Sequence, residues 1–180
     1  VMNTICAVIV GYGDRGRVYG KYAQLFPEQL KIVGVVDPLE LNRNKAKENF
    51  CLPQDRCFDS IEAFLRAGKI ADCVFNCTMD QLHVSTTLPL LDAGYDVLLE
   101  KPITNNPDQL FLLKKRAETV HRRLMICHVL RYAPFYQKIK ETLMENKIGD
   151  LIALEMSEYV GIQHVVTSYI RGKWRNSQRC

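Results

Sequence analysis

Five short apolar runs, often β-branched, recur across the first 130 positions: TICAVIV (Thr4–Val10), KIVGVV (Lys31–Val36), DCVFNCT (Asp72–Thr78), DVLLE (Asp96–Glu100) and RLMICHV (Arg123–Val129). Runs of this kind fit strands covered on both faces. Between them lie stretches with helical spacing: Arg17–Phe26, Asn42–Asn49, Ser60–Ala67, Gln81–Ala93 and Pro107–Val120. Ser60 and Asn106 stand where helix N-caps belong, Pro107 suits a first turn, and Gly94 suits the residue just past a helix end. A repeating strand–helix order implies an α/β fold. Its parallel sheet is doubly wound by right-handed crossovers, with helices on both faces.

The turn after the first run narrows the fold further. It reads Gly11-Tyr12-Gly13-Asp14-Arg15-Gly16 and opens the first helical stretch. In that context each glycine has a use: Gly11 permits a tight turn, Gly13 lets the backbone approach a diphosphate, and Gly16 lets the helix pack close to the strand. The diphosphate would rest on free N–H groups at the positive end of the helix. The second run leads into Asp37, about 20 residues further on, the usual place for a carboxylate that accepts hydrogen bonds from the adenosine ribose. Together these predict a dinucleotide-binding Rossmann domain over residues 1–128. Asp37 would repel a 2′-phosphate, which favours NAD; Arg43 on the next helix reaches the same region and keeps NADP open. Tyr12, Asp14 and Arg15 are candidate coenzyme contacts with the glycines, although Arg15 and Arg17 fit a solvated surface equally well. Thr78 and Met79 are candidate contacts after the third run. His83 either caps a helix start through hydrogen bonds or lines the nicotinamide pocket.

Beyond position 128 the texture changes. Ala133–Asn146 reads as an amphipathic helix, and LIALEMSEYV (Leu151–Val160) as a strand of a different sheet, one with a wetter face. The last twenty residues contain no further predicted element. Residues 129–180 therefore read as the start of an incomplete second α/β domain. The net charge of +4 is spread among acids, with no basic patch bearing stacking aromatics, which argues against nucleic acid as a partner. No apolar run approaches the roughly 20 residues that span a bilayer. The N-terminal VMNTICAVIV lacks a basic region and a cleavage site, so neither a membrane nor a signal peptide is expected. The seven cysteines have no framework spacing. Cys6, Cys73, Cys77 and Cys127 lie in apolar runs as small hydrophobes, which suggests reduced thiols in a cytoplasmic protein. Cys73 and Cys77 could share a face, but nothing supplies two further ligands, so no metal site is expected.

The stretch YDVLLEKPIT (Tyr95–Thr104) drives an apolar strand into an acid, a base and a proline. Carboxyl ends of parallel strands form the binding crevice of such sheets, and a catalytic group works best when held rigidly there. Lys101 sits at such an end and is expected to be partly desolvated. Its ammonium would polarise an oxygen bound in that crevice. His128, at the end of the fifth run, is expected to face the same crevice as a substrate-side candidate.

GYGDRG, NCTMDQLH, LLEKPIT and RYAPFYQKIKETLMENKIGDLIALE together resemble the Gfo/Idh/MocA oxidoreductases, with Arg131-Tyr132 in place of the commoner Arg-Phe. The resemblance covers essentially the whole chain. It implies a Rossmann domain followed by an α/β domain with a large open antiparallel sheet, through which such proteins commonly assemble as homo-oligomers. It places Glu100, Lys101 and Pro102 beside the nicotinamide, with Lys101 at the reacting hydroxyl or carbonyl and Pro102 often in a cis peptide. It implies a sugar, a cyclitol or a related small molecule as substrate. Ser168–Arg175 resembles the family's substrate-side loop, which adds Arg171 and Trp174 to Arg131 and His128 on that side.

One family feature is missing. The partner acid/base usually lies in a His-x-x-Asp arrangement, and this sequence has none; His164 is followed by Val165-Val166-Thr167. The expectation is therefore a fragment that binds NAD and turns over little. Leu151–Val160 is expected to form an unsupported edge that self-associates, swaps or frays. Two other functions use the same motifs: an NAD-dependent glycosidase that oxidises its sugar transiently, and a non-catalytic dinucleotide-binding module.

Overall fold

The first apolar run forms the centre of a parallel sheet in the computed structural model, which describes residues 3–176. Strand β1 (Ile5–Val10) pairs with β2 (Leu30–Val36) on one side and β4 (Cys73–Asn76) on the other. Outside these lie β3 (Cys57–Phe58), β5 (Asp96–Leu99) and β6 (Leu124–Ile126), giving the order β3-β2-β1-β4-β5-β6. Every pair is parallel, as strands joined by crossover helices must be. The helices are α1 (Asp14–Leu25), α2 (Glu40–Phe50), α3 (Ile61–Arg66), α4 (His83–Asp92) and α5 (Pro107–Thr119).

Successive β1 side chains go to opposite faces of the sheet, and each face has its own core. Val8 and Val10 join Phe64, Val74, Leu90, Val97, Leu99 and Leu113, whereas Ala7 and Ile9 join Tyr12, Ile32, Val35 and Ala46. Each large apolar side chain buried this way contributes about 1.5–3 kcal/mol relative to leaving it in water. That is why near-continuous apolar runs, rather than alternating ones, suit this sheet. The helix ends follow their local chemistry. Ser60 Oγ accepts from the Ala63 N–H at 3.3 Å, and Asn106 Oδ1 accepts from the Asp108 N–H at 2.9 Å. Gly94 leaves α4 with φ +82°. Two elements depart from the sequence reading. Strand β3 pairs only two residues with β2, too few to show a pattern. Helix α1 begins at Asp14 rather than Arg17, immediately after the glycine turn.

The chain divides into two compact units between Cys127 and His128. The second unit opens with a 3₁₀ turn (Val129–Tyr132) and continues as α6 (Pro134–Met144). The strand expected over residues 151–160 does not form: these residues carry no regular structure, and Ile152 is 96% exposed. Alternation assigns faces, but a strand exists only when a neighbour takes up its N–H and C=O groups, and no described residue does so. The segment that follows, for which the sequence predicts no element, contains helical turns over Ile162–His164, Val165–Ile170 and Lys173–Arg175. Among the described residues no helix is long and apolar enough to cross a membrane.

Candidate functional site

The strand order reverses between β1 and β4, and the first unit gathers its chemistry at the carboxyl ends around that point. Gly11 takes φ +87°, and a Cβ there would lie 2.6 Å from the Cys77 carbonyl oxygen. A Cβ on Gly16 would collide with the Gly11 carbonyl and Ile9. These two glycines are required by the protein's own packing. Gly13 is different: a Cβ there meets nothing within 4 Å. The turn is open at the one glycine whose expected use is to admit a ligand. Gly13 is also the N-cap of α1 and offers no side-chain acceptor to the helix. The first-turn N–H groups thus have no intrahelical partner, and the residues fit a diphosphate.

Asp37 is 5% exposed at the end of β2. Its Oδ2 accepts from the Tyr12 N–H at 2.8 Å and from Asn42 Nδ2 at 3.0 Å, and its Oδ1 accepts from the Leu39 N–H at 2.9 Å. The carboxylate fastens the glycine turn to β2, with capacity remaining for one more donor. Two sequence expectations need correction here. Tyr12 is 1% exposed, its hydroxyl accepting from Asn49 Nδ2 at 2.9 Å and its ring edge-on to Phe50. Its ring belongs to the core, and its N–H is already held by Asp37. Arg43 folds back, donating from Nη1 to the Asp37 carbonyl at 2.8 Å and the Pro38 carbonyl at 3.0 Å. Arg17 donates to Asn42 Oδ1 at 3.2 Å, while Asp14 and Arg15 are exposed.

Side chains brace the other half of the site. Asn76, fully buried at the end of β4, donates to Thr86 Oγ1 at 2.8 Å and Thr87 Oγ1 at 2.9 Å and accepts from Thr78 Oγ1 at 2.8 Å. This turns the Thr78 hydroxyl inward, and the Thr78 N–H donates to the same Asn76 Oδ1 at 3.3 Å, while Met79 beside it is half-buried. His83 is also fully buried, its Nδ1 2.7 Å from the Pro102 carbonyl oxygen and its Nε2 3.0 Å from that of Thr78. It lies between the loop after β4 and the loop after β5, each of which turns a carbonyl toward the ring; a neutral imidazole donates to one of the two, according to its tautomer, and packs against the other.

Glu100 is 5% exposed, and Lys101, the next residue, is exposed, joined to Pro102 by a cis peptide. The expected partial desolvation of Lys101 is not seen within the first unit, because β5 ends at Leu99 and the amine lies beyond the sheet. Glu100 Oε1 accepts from the Tyr19 hydroxyl and lies 3.8 Å from Arg15 Nε, while Oε2 accepts from the Lys101 N–H at 3.1 Å. Burial, followed by hydrogen bonding with Cys127 and Glu100, pushes the Tyr19 phenol well above its ordinary range. Burial likewise pushes the Cys77 thiol well up, with the Glu100 charge adding to it.

Sequence reasoning missed Tyr19, Asn76 and Asn42. A polar residue inside the apolar run DCVFNCT was the available signal for Asn76, and the three-residue step from Gly16 to Tyr19 placed both on one helix face. The remaining substrate-side candidates lie in the second unit. His128 precedes its first turn instead of ending a strand, since β6 stops at Ile126. Arg131, Arg171 and Trp174 are exposed there.

A family model described as an oxidoreductase family with an NAD-binding Rossmann fold matches residues 5–128. An inositol 2-dehydrogenase of Leifsonia xyli is 25% identical over 154 residues, covering 85% of this chain and 45% of that protein. A UDP-N-acetylglucosamine 3-dehydrogenase of Acidithiobacillus ferrooxidans is 28% identical over 133 residues, covering 74% and 40%. The chain thus spans less than half the length of these relatives. Scyllo-inositol dehydrogenase from Lactobacillus casei, solved with NAD(H) and scyllo-inositol, superposes with a TM-score of 0.75 at 20% identity, over 82% of this chain and 43% of that one. That likeness is one of fold.

Proposed function

Because the chain belongs to the Gfo/Idh/MocA oxidoreductases, with their NAD-binding Rossmann fold, we propose that it serves hydride transfer between NAD and a hydroxyl or carbonyl carbon of a sugar, cyclitol or related compound. The observation that carries this reading is the pairing of an open Gly13 turn with a lysine amine at the carboxyl ends of one parallel sheet. Gly11–Gly16 and the first N–H groups of α1 would hold the diphosphate, and Asp37 the adenosine ribose. The Thr78–Met79 backbone and Glu100–Pro102 would border the nicotinamide. Bound there, the coenzyme supplies or accepts the hydride. Lys101, with its amine neutral, would accept the hydroxyl proton as hydride leaves the carbon; in the reverse direction its ammonium would polarise the carbonyl oxygen and return that proton.

NAD is preferred over NADP because the Asp37 carboxylate disfavours a 2′-phosphate and Arg43 is engaged with backbone carbonyls. The printed activities of the two dehydrogenase relatives support the substrate class. His128, Arg131, Arg171 and Trp174 are proposed on the substrate side, and assembly as a homo-oligomer through the second domain. A reducing, cytoplasmic setting is supported by the free state of Cys6, Cys51, Cys57, Cys73, Cys77 and Cys127.

Calorimetric titration with NAD+ and NADP+, then coenzyme reduction across polyols and nucleotide sugars, tests the reading. NAD+ is expected to bind at least about tenfold more tightly than NADP+, a difference of roughly 1.4 kcal/mol. Lys101→Met is expected to retain binding and lose whatever turnover is measured. Failure to bind either coenzyme overturns the reading. Release of an aglycone without net NADH would instead indicate transient oxidation and elimination.

A further inference from the structure

The carboxylate preceding Lys101 has a partner that coenzyme binding does not explain. Glu100 is buried, and a buried carboxylate is stable only when donors replace the water it has lost. Its two oxygens are divided between two parts of the fold. Oε1 takes the Tyr19 hydroxyl from α1, and Oε2 takes the Lys101 N–H from the chain just beyond β5. The Glu100 N–H donates to the Asn76 carbonyl at 3.0 Å, which fixes the backbone at that point as well.

We infer that Tyr19 is a positioning residue for Lys101, acting through the Glu100 carboxylate and tying the helix below the glycine turn to the strand end that presents the amine. The inference rests on reading Lys101 as the group that meets substrate. The Tyr19 ring is itself held, edge-on to Phe75 with centroids 6.0 Å apart, so the hydroxyl is delivered from a fixed body. Burial and its hydrogen-bonding neighbours keep the phenol protonated, and hence a donor. The cation near Oε1 is a poor substitute for the hydroxyl: Arg15 approaches only to 3.8 Å, and half of its side chain is in solvent. Removing the phenol oxygen leaves Oε1 without a close donor, which frees the carboxylate to rotate. Lys101 then loses the fixed acceptor for its N–H, and the amine loses its bearing. Small displacements of a reacting group are costly to reactivity, so a bond one step back from the chemistry matters.

The test uses the whole chain with its lysine amines reductively methylated with a ¹³C label, Lys101→Arg identifying the Lys101 signal. Spectra are recorded without coenzyme for the unsubstituted chain, Tyr19→Phe, Glu100→Gln and the double variant, and NAD+ binding is followed separately by calorimetry. Tyr19→Phe is expected to move the Lys101 signal while the other lysine signals stay in place. Glu100→Gln should move it too, and the double variant should go no further than the larger single change, as for two residues acting through one contact. NAD+ affinity of Tyr19→Phe should stay within about threefold of the unsubstituted chain. A Lys101 signal unmoved in Tyr19→Phe overturns the inference, as does a general shift of all lysine signals, which would assign Tyr19 to the fold alone. Failure of the unsubstituted chain to bind NAD+ counts against the proposed function. The spectra without coenzyme still decide whether Tyr19 bears on Lys101.

Discussion

The two sides of the β1/β4 crevice are built by different means. On the β1–β2 side the backbone does the shaping: Gly11 turns at φ +87°, Gly16 admits the helix, and Asp37 accepts the Tyr12 and Leu39 N–H groups. On the β4–β5 side buried polar side chains do it: Asn76 braces Thr78, His83 brackets Thr78 to Pro102, and Glu100 joins α1 to Lys101. Backbone shaping suits a ligand part that is the same in every dinucleotide. Side-chain bracing suits a loop that, on the proposed function, holds one reactive amine, because each brace can be adjusted without moving the sheet.

That contrast predicts a hierarchy of effects. Gly11→Ala adds left-handed strain and a collision with the Cys77 carbonyl, and should lower unfolding free energy by about 4 kcal/mol, measured by urea denaturation. If Ala is tolerated there, the backbone account of that side fails. His83→Ala empties a buried position and removes the ring N–H from whichever of the Thr78 and Pro102 carbonyls accepts it, at a cost of about 3 kcal/mol. Amide exchange should accelerate first around residues 78–83 and 100–104; uniform acceleration would remove the distinction between bracket and general core. Ser60→Ala removes only a helix cap remote from the crevice and should cost about 1 kcal/mol without altering coenzyme affinity. A change in affinity there would show that the sides are not separable from the rest of the sheet.

The same contrast governs what could be read in advance. Glycine spacing, the β-branched runs and Asp37 are local signals of backbone geometry, so the sheet, the turn and a carboxylate at the end of β2 were legible. The bracket of His83 is a meeting of residues from two loops, and no local pattern distinguishes it from a pocket-lining histidine. Tyr12 shows the limit within a motif: the pattern specifies glycines, whereas its intervening position is decided by the core against Phe50. Residues 151–160 show the limit for strands. Their alternation is visible, but pairing is a property of two segments, and no described residue completes it.

The proposed function depends above all on the free space at Gly13 receiving a coenzyme diphosphate. NAD+ calorimetry on Gly13→Val, alongside its urea denaturation, tests this most directly. The backbone at Gly13, φ −79° and ψ −154°, accepts a side chain, and no protein atom lies in its way. Stability should therefore change by less than about 0.5 kcal/mol, while NAD+ affinity should fall by about 100-fold or more. A valine variant that binds NAD+ as tightly as the unsubstituted chain would contradict the claim.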